Sequence, residues 1–438
     1  MKKLALTVVI VLLAVCFGLS GAIAINKLFP TEDEEKINFA WDKVRVANEN
    51  LYPDNFEYVD YAKEVKFDYE KYPLLKNQGL FWCRWDDEAN MIIKVDASTP
   101  EGASIVDPDK PTIINIHGML VEGYYMEEMY WAPPTNATEE ELGYEYPVQM
   151  FQFWMDKGYN VGMYSYQKFA AEDTNYFDIE EKMWANDGPT GIRYRKPDRT
   201  FDEDVSEYTI TEHFAADYIR AMALLPDTFG DKEIRFAAHS MGGQMVNGGT
   251  FLLTELASVG QLNPNQLPDR IVLEDTFFGV ALPHKDSYAY AGYTDLTIRW
   301  SGKPLPTSTG FASLECMKDV AANGTVYEFV SYSGSALLAF YHPDIIATIK
   351  DISVFILMEP FFTADGGGQH NGVREYYLSS IIRDYEDGNL TDAEKIAYSA
   401  SLPTEELRKL IGKEFKIVQG GTTLTTADDV FVEITDAE

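Results

Sequence analysis

The sequence predicts an α/β fold with a mostly parallel, eight-stranded sheet, helices on both faces of the sheet and a small C-terminal appendix. Short, continuous apolar segments alternate with amphipathic segments along the chain. Continuous apolar strands are typical of parallel sheets whose two faces are both covered. Hydrophobic residues make up 46% of the 438 residues, which is enough to bury a large core.

An antiparallel hairpin is the first predicted part of the sheet. Its two apolar strands, 79–85 and 90–98, are separated by the tetrapeptide Asp-Asp-Glu-Ala. The other strands are predicted at 111–118, 158–166, 233–240, 270–278, 325–333 and 352–360. Amphipathic helices are predicted at 145–158, 207–225, 242–260 and 373–385. This alternation of strands and helices indicates one large α/β domain over 79–389.

Additional segments surround and interrupt this domain. A polar, acidic extension precedes it at 26–78, and short helices with a hairpin around Gly420 and Gly421 follow it at 390–438. Two long insertions without clear strands occur near 167–206 and 277–324. Compact domains rarely carry loops of this length unless the loops act as lids or binding loops. We therefore expect both insertions to be lid-like.

The first 25 residues have the pattern of a targeting segment. A short basic start, Met-Lys-Lys, is followed by the apolar run 4–25, and Ala22-Ile23-Ala24 offers a small-residue cleavage site. The run is also long enough to span a bilayer if it is not removed. A cleaved signal peptide and an uncleaved membrane tether both remain open. Either one predicts a secreted or extracytoplasmic protein.

Charge and cysteine usage exclude several classes of partner. The formal net charge is −34, which argues against nucleic acid and against anionic lipid headgroups as partners. After export, Cys83 and Cys316 would remain, and an oxidising compartment could join them. They lie far apart in the sequence, and we expect two buried free thiols. No zinc-type spacing of cysteines occurs, so no metal site is predicted.

Ser240 occupies the one stretch with a clear chemical pattern. It ends the predicted strand 233–240 and precedes the helix 242–260, with the small residues Ala238 and Gly242 two positions away on either side. This is the G-x-S-x-G pattern with Ala in place of the first Gly. Such a turn raises the Ser Oγ above the sheet, beside the N–H groups of a helix N-terminus. The alternative is an ordinary strand–helix turn that carries a serine.

In this context the segment Ala-His-Ser-Met-Gly-Gly resembles the nucleophile elbow of the α/β-hydrolase family, in particular its lipases and esterases, over residues 79–385. The resemblance implies an oxyanion hole made of two backbone N–H groups. One belongs to Met241, directly after the nucleophile. The other belongs to Met119, because His117-Gly118 is similar to the His-Gly of lipases. Gly118 would permit the close approach of the backbone, and His117 would be structural.

The general base is expected near the end of the chain, because the chain order in the family is Ser, then acid, then His. His370 lies in Gly-Gly-Gly-Gln-His-Asn-Gly, between the last strand and a predicted helix start, where the family keeps its catalytic histidine. His342, between the last two strands, is the second choice. A histidine at a helix start without a chemical role is the alternative for His370.

Asp275 is the expected acid. It ends the sixth strand, where the resemblance to lipases of the pancreatic type implies the acid to be, and neighbouring Glu274 would point to the opposite side of the strand. Glu359 and Asp365 are the reserves. The chain lacks the disulfide-rich loops and the attached β-sandwich of the pancreatic group.

These residues together predict an exported serine hydrolase that cleaves carboxylic esters through an acyl-enzyme and needs no cofactor. The segments 121–134 and 277–300 are rich in aromatic residues, which suits an apolar acyl group or another lipid or small-molecule ester. Ordinary packing is the other explanation of these aromatic residues. A peptidase or thioesterase with the same triad, and a catalytically inactive binding protein, are the alternative functions.

Overall fold

The computed structural model of the protein describes residues 58–88, 91–121, 150–172, 176–186, 191–278, 309–332, 343–359, 366–386, 388–420 and 426–435. The chain divides into two compact units. The large unit comprises Lys36–Glu128 and Gly158–Tyr327, and the small unit comprises Met1–Glu35, Met129–Lys157 and Glu328–Glu438. The predicted segments 1–25 and 122–134, most of the insertion 277–300, and His342 and Asp365 lie outside the described residues.

The large unit contains six strands of a mixed sheet. They are β1 (Gly79–Asp86), β2 (Met91–Asp96), β3 (Thr112–Ile116), β4 (Asn160–Ser165), β5 (Ile234–His239) and β6 (Arg270–Glu274). Their order is β6-β5-β3-β4-β1-β2. The first four strands in this order pair in parallel, whereas β1 is antiparallel to both β4 and β2. Every residue of β3 to β6 is buried, so both faces of these strands are covered.

The small unit contains four strands. They are β7 (Val326–Tyr332), which begins in the large unit, β8 (Ser353–Glu359), β9 (Glu414–Val418) and β10 (Val430–Ile434), in the order β10-β9-β8-β7. Strand β9 pairs in parallel with β8 and antiparallel with β10. The predicted mostly parallel α/β architecture is confirmed, and all eight predicted strands are present. The hairpin predicted in the appendix extends the strand order beyond β8, because β9 pairs in parallel with β8. Phe415 and Ile417 of β9 are buried.

The helices of the described residues precede the first strand or fall between the strands. They are α1 (Tyr61–Glu64), α2 (Pro100–Ser104), α3 (Met150–Asp156), α4 (Gln167–Ala170), α5 (Tyr176–Trp184), α6 (Ile210–Met222), α7 (Gly242–Ser258), α8 (Thr309–Ala322), α9 (Pro343–Ile352), α10 (Gly366–Ser380), α11 (Asp392–Ile396) and α12 (Thr404–Arg408). Short 3-10 segments lie at Pro73–Asn77, Asp227–Asp231, Pro264–Gln266, Ser399–Ser401 and Thr426–Asp428. Two small strand pairs join Leu120–Val121 to Ala171–Glu172 and Tyr194–Arg195 to Phe201–Asp202.

Helix α10 begins earlier than predicted. The sequence places a loop up to residue 372, but the helix starts at Gly366 and includes His370. Glycine disfavours helix interiors, which is why the three glycines at 366–368 indicate a loop. In the first turn, however, the backbone N–H groups have no intrahelical acceptor in any case. The correction therefore places His370 inside a helix and not in a flexible loop.

The last part of the insertion 277–324 is a helix that covers the core. Helix α8 packs against α7, and Asn247 donates a hydrogen bond to Ser313 Oγ at 3.0 Å. Both side chains are fully buried. Residues 309–322 therefore form a packed part of the large unit.

The described parts of the insertion 167–206 are also held by buried contacts. Lys182 is buried, and its ammonium group donates to the carbonyl oxygens of Phe169, at 2.7 Å, and Arg193, at 3.3 Å. Trp184 and Tyr194 are buried as well. A buried lysine is tolerated only when its donors are used, and these bonds join three segments of the insertion.

The described end of the N-terminal extension is anchored on helix α6. Tyr61 donates its hydroxyl hydrogen to Glu212 at 3.0 Å, and the ring of Phe67 stacks on His213 with the centroids 3.6 Å apart. Arg220 donates to the carbonyl oxygens of Ala62 and Val65. Tyr61, Val65 and Phe67 are buried and therefore belong to the core of the large unit.

The structure describes both cysteines that follow the targeting segment, and it allows a search of the described helices for a membrane span. Cys83 and Cys316 are buried free thiols, as expected from the sequence. Among the helices that the structure describes, none has the length and apolar character that crossing a bilayer requires.

The buried carboxyl group of Glu212 makes the stability of the fold depend on pH. Burial raises its pKa to about 7, although the Thr209 N–H and the Tyr61 hydroxyl act in the opposite direction. The folded protein therefore holds this proton more tightly than the unfolded chain. The free energy of unfolding consequently decreases as the pH rises from the usual carboxyl range through about 7.

The variant Glu212→Gln should lose this part of the pH dependence. Relative to the wild type, its free energy of unfolding should improve by about 2 kcal/mol between pH 5 and pH 8, measured by urea denaturation. If the free energies of unfolding of the two proteins changed with pH in parallel, a raised pKa of Glu212 in the folded protein would be contradicted.

Candidate active site

The backbone at Ser240 is strained. Strand β5 ends at His239, helix α7 begins at Gly242, and Ser240 between them has a φ of 54°. A residue with a side chain in this left-handed region costs about 1–3 kcal/mol and is held there only by its surroundings. Ser240 is partly exposed.

Three glycines allow neighbouring segments to hold this turn. A Cβ added to Gly242 would lie 2.4 Å from the His117 carbonyl oxygen, and one added to Gly243 would lie 2.1 Å from Thr276 Oγ1. A Cβ added to Gly118 would lie 2.7 Å from Ser240 Cβ. The end of β3 and the loop after β6 are therefore in direct contact with the turn. Only glycine permits this approach.

The N-terminus of helix α7 supplies N–H groups next to Ser240. Met241 occupies the cap position, and its side chain makes no capping hydrogen bond. The first N–H groups of a helix have no intrahelical acceptor, and the helix dipole favours negative charge there. This end of α7 can therefore stabilise an anion that forms on a substrate at Ser240.

His117 holds the other predicted donor in place. Its Nε2 accepts the Tyr166 N–H at 3.1 Å, so Nδ1 carries the hydrogen and donates it to the Gly118 carbonyl at 2.7 Å. The rings of His117 and Tyr166 stack with their centroids 4.1 Å apart. A trans peptide directs its N–H opposite to its C=O, so this bond also fixes the direction of the Met119 N–H. Both ring nitrogens of His117 are used by the backbone, as a structural role requires.

Asp275 lies beside Ser240 at the end of the neighbouring strand. The register of β5 and β6 pairs Glu274 with His239, and the Ser240 N–H donates to the Glu274 carbonyl at 2.9 Å. Asp275 is fully buried and has a φ of 45°. Two strained residues thus occupy the ends of two adjacent parallel strands. Strained residues of this kind cluster at functional sites.

The large unit brings together four of the predicted site residues: Ser240, Asp275, Met119 and Met241. His370 belongs to the small unit, where it lies in helix α10 and is partly exposed. The reserve acid Glu359, at the end of β8, is exposed and forms an ion pair with Lys416 at 2.6 Å. This contact occupies the Glu359 carboxylate at the protein surface.

The described histidines of the large unit have other surroundings. His213 is buried, contacts Ser206 Oγ at 2.7 Å, and has its pKa lowered to about 3 by that burial. The ring of His239 lies against Gly118. His117 uses both ring nitrogens, as described above. His370 is the other histidine among the described residues, and it belongs to the small unit.

Gln244 is a residue of the site region that sequence reasoning missed. It lies one turn after Ser240 in α7 and is fully buried, and it donates to the Phe277 carbonyl oxygen at 2.9 Å. In the sequence Gln244 is one of several polar residues of α7, together with Asn247 and Thr250 among others. That pattern does not reveal the partner.

No metal centre accompanies the site in the part of the chain that the structure describes, since no group of three or more His, Cys, Asp or Glu side chains there could hold an ion.

Comparisons with known proteins found distant structural likenesses. No protein-family model matches the chain, and no curated protein matches it. An acylaminoacyl peptidase of Pyrococcus horikoshii is 13% identical with a TM-score of 0.31, over 75% of this chain and 46% of that one. The thioesterase domain from the curacin biosynthetic pathway is 16% identical with a TM-score of 0.30, over 63% and 92%. The esterase Est22 is 12% identical with a TM-score of 0.24, over 79% of both chains.

This chain therefore spans a little under half the length of the acylaminoacyl peptidase.

The left-handed backbone at Ser240 should make a glycine variant more stable than an alanine variant at this position. Glycine adopts a φ of 54° without strain, whereas alanine does not. Ser240→Gly should therefore exceed Ser240→Ala in free energy of unfolding by about 1 kcal/mol, measured by urea denaturation. The order should reverse at an ordinary helical position such as Thr254, where Thr254→Ala should be more stable than Thr254→Gly. Equal stability of the two Ser240 variants would contradict a strained turn.

Proposed function

We propose that this protein is a serine hydrolase that works through a covalent acyl-enzyme. The observation that carries the proposal is the strained Ser240, raised at the uncapped N-terminus of α7 with the Gly118 backbone against its side chain. A backbone strained to this degree persists only where neighbouring contacts hold it. A nucleophile elbow explains both the strain and the contacts that hold the turn.

Within this class, we propose a carboxylic-ester hydrolase with Ser240, His370 and Asp275 as its triad. A neutral serine hydroxyl is a weak nucleophile and needs a base, and the base needs an orienting carboxylate. In the proposed mechanism His370 accepts the Ser240 proton as Oγ attacks the ester carbonyl, and Asp275 holds the imidazolium.

The oxyanion of the tetrahedral intermediate accepts hydrogen bonds from the N–H groups of Met119 and Met241. Each such donor contributes about 3 kcal/mol to the transition state. His370 then gives the proton to the leaving alcohol. A water molecule, deprotonated by His370, attacks the acyl-enzyme, and His370 passes that proton to Ser240 Oγ as the carboxylic acid leaves. The chain's own side chains suffice for every proton transfer.

The proposed substrates are esters of lipids or of other apolar acyl compounds. The support is the aromatic composition of 121–134 and 277–300, the segments that flank the predicted oxyanion donor and the acid loop in sequence. We also propose export, with residues 1–25 as a signal peptide or membrane tether, from their basic start and apolar run.

Labelling with a fluorophosphonate probe tests the class. The wild type should be labelled and Ser240→Ala should not, because the probe reacts only with an activated serine. A folded wild type that remains unlabelled would favour the binding-protein alternative.

The same preparation tests the chemistry of the substrate. Nitrophenyl esters of increasing chain length, a thioester and a peptide anilide should show the highest kcat/KM for the longer esters. A preference for the anilide or the thioester would contradict an ester hydrolase and leave the serine-hydrolase class intact.

Asp275→Asn should lower kcat by about 10⁴-fold, because the amide no longer orients the histidine correctly. Asn tolerates the left-handed φ of 45° at this position, so the fold should be retained. Glu359→Gln, which removes only the exposed ion pair with Lys416, is the control and should keep its activity. An active Asp275→Asn beside an inactive Glu359→Gln would assign the acid to residue 359.

A further inference from the structure

A buried polar cross-link lies directly behind the strained turn. Gln244 Nε2 donates both to the Phe277 carbonyl oxygen, at 2.9 Å, and to Glu180 Oε1, at 2.6 Å. Gln244 Oε1 accepts the indole N–H of Trp184 at 2.8 Å. All polar atoms of this amide are therefore used, and the side chain has one favoured orientation.

Glu180 is the second member of the cross-link. It is fully buried in α5, and its Oε1 also accepts the hydroxyl hydrogen of Thr309 at 2.6 Å. Desolvating a carboxylate is costly unless several donors compensate. The pair thus joins four segments of the large unit: α5, α7, the loop after β6 and the start of α8.

Phe277 connects this cross-link to the acid. It lies two residues after Asp275, its N–H donates to the Ser240 carbonyl at 3.4 Å, and its own carbonyl accepts from Gln244. The loop that carries Asp275 is therefore bonded to the elbow twice, once by the backbone and once by a side chain. A residue with a φ of 45° keeps that conformation only when its surroundings over-determine it.

We propose that Gln244 is a positioning residue that holds the Asp275 loop against the nucleophile turn, and that Glu180 orients Gln244 for this task. The proposal rests on the proposed hydrolase function. Neither side chain touches the reacting atoms. Their effect is on the direction in which Asp275 presents its carboxylate to the histidine base, where an error of about 1 Å costs about 100-fold in rate.

A purely structural role predicts different behaviour. In that case loss of the cross-link would lower stability without changing the rate of acylation in the folded enzyme. A positioning role predicts a lower kcat with little change in KM. It also predicts that the acidic limb of the kcat/KM profile moves to lower pH, because a misdirected Asp275 no longer stabilises the protonated histidine.

The variants Gln244→Glu and Glu180→Gln separate the two roles. Gln244→Glu replaces the donor to Phe277 by a carboxylate that also faces Glu180, and should slow fluorophosphonate labelling of Ser240 by about 10- to 100-fold. Glu180→Gln keeps an acceptor for Gln244 and Thr309, and should slow labelling by less than Gln244→Glu does. If Gln244→Glu does not fold, the double variant Gln244→Glu/Glu180→Gln carries the test.

The double variant Gln244→Glu/Glu180→Gln is the sharpest test. It restores a donor–acceptor pair between the two side chains, but the Phe277 carbonyl still lacks its donor. Thermal stability should therefore recover towards the wild type while labelling remains slow. Recovery of labelling together with stability would overturn the positioning role.

Gln266→Glu is the matched control. Gln266 is another buried glutamine of the large unit, whose amide donates to the Met222 carbonyl oxygen at 3.4 Å. It should lose stability and keep the wild-type labelling rate and pH profile. A folded wild type that is not labelled would overturn the proposed function and this inference together. A labelled wild type with a folded, equally fast Gln244→Glu would overturn this inference alone.

Discussion

The left-handed backbone of Ser240 is the constraint on which the rest of this site depends. A residue with a side chain costs about 1–3 kcal/mol there, so the turn persists only where its neighbours hold it. Gly242 and Gly118 let them do so, since a side chain at either position would overlap the His117 carbonyl oxygen or Ser240 Cβ. The same geometry that strains the serine also sets it beside the N-terminus of α7, which no side chain caps. Strain, close packing and anion stabilisation are therefore consequences of one turn.

Buried polar groups convert this tolerated strain into a fixed arrangement. His117 directs the Gly118 carbonyl, and Gln244 directs the Phe277 carbonyl, each from a fully buried side chain. In a low-dielectric interior these bonds are strong, and leaving one unmade is costly, so each group has a single favoured orientation. The chemistry proposed for Ser240 thus depends on residues that never contact a substrate.

Sequence patterns predicted the elements whose signal is local and failed where the signal depends on context. The continuous apolar runs at 112–116 and 234–239 predicted buried strands, and the small residues flanking Ser240 predicted the turn. The predicted start of α10 was wrong. Glycines such as those at 366–368 normally disfavour a helix, but they cost little stability in its first turn. The attachment of β9 to β8 was missed because an alternating pattern at 414–418 fits an isolated hairpin equally well.

By itself the sequence determined the fold class, the order of the elements and the serine turn, because periodicity and small-residue spacing act between residues a few positions apart. The tertiary structure decided the partners of the buried polar side chains. Glu180 and Gln244 lie 64 positions apart, and Glu180 and Thr309 lie 129 apart. It also decided that Asp275 adopts a left-handed φ beside Ser240. Hydrogen bonds between distant segments form only where packing brings those segments together, and no local preference along the chain encodes that meeting.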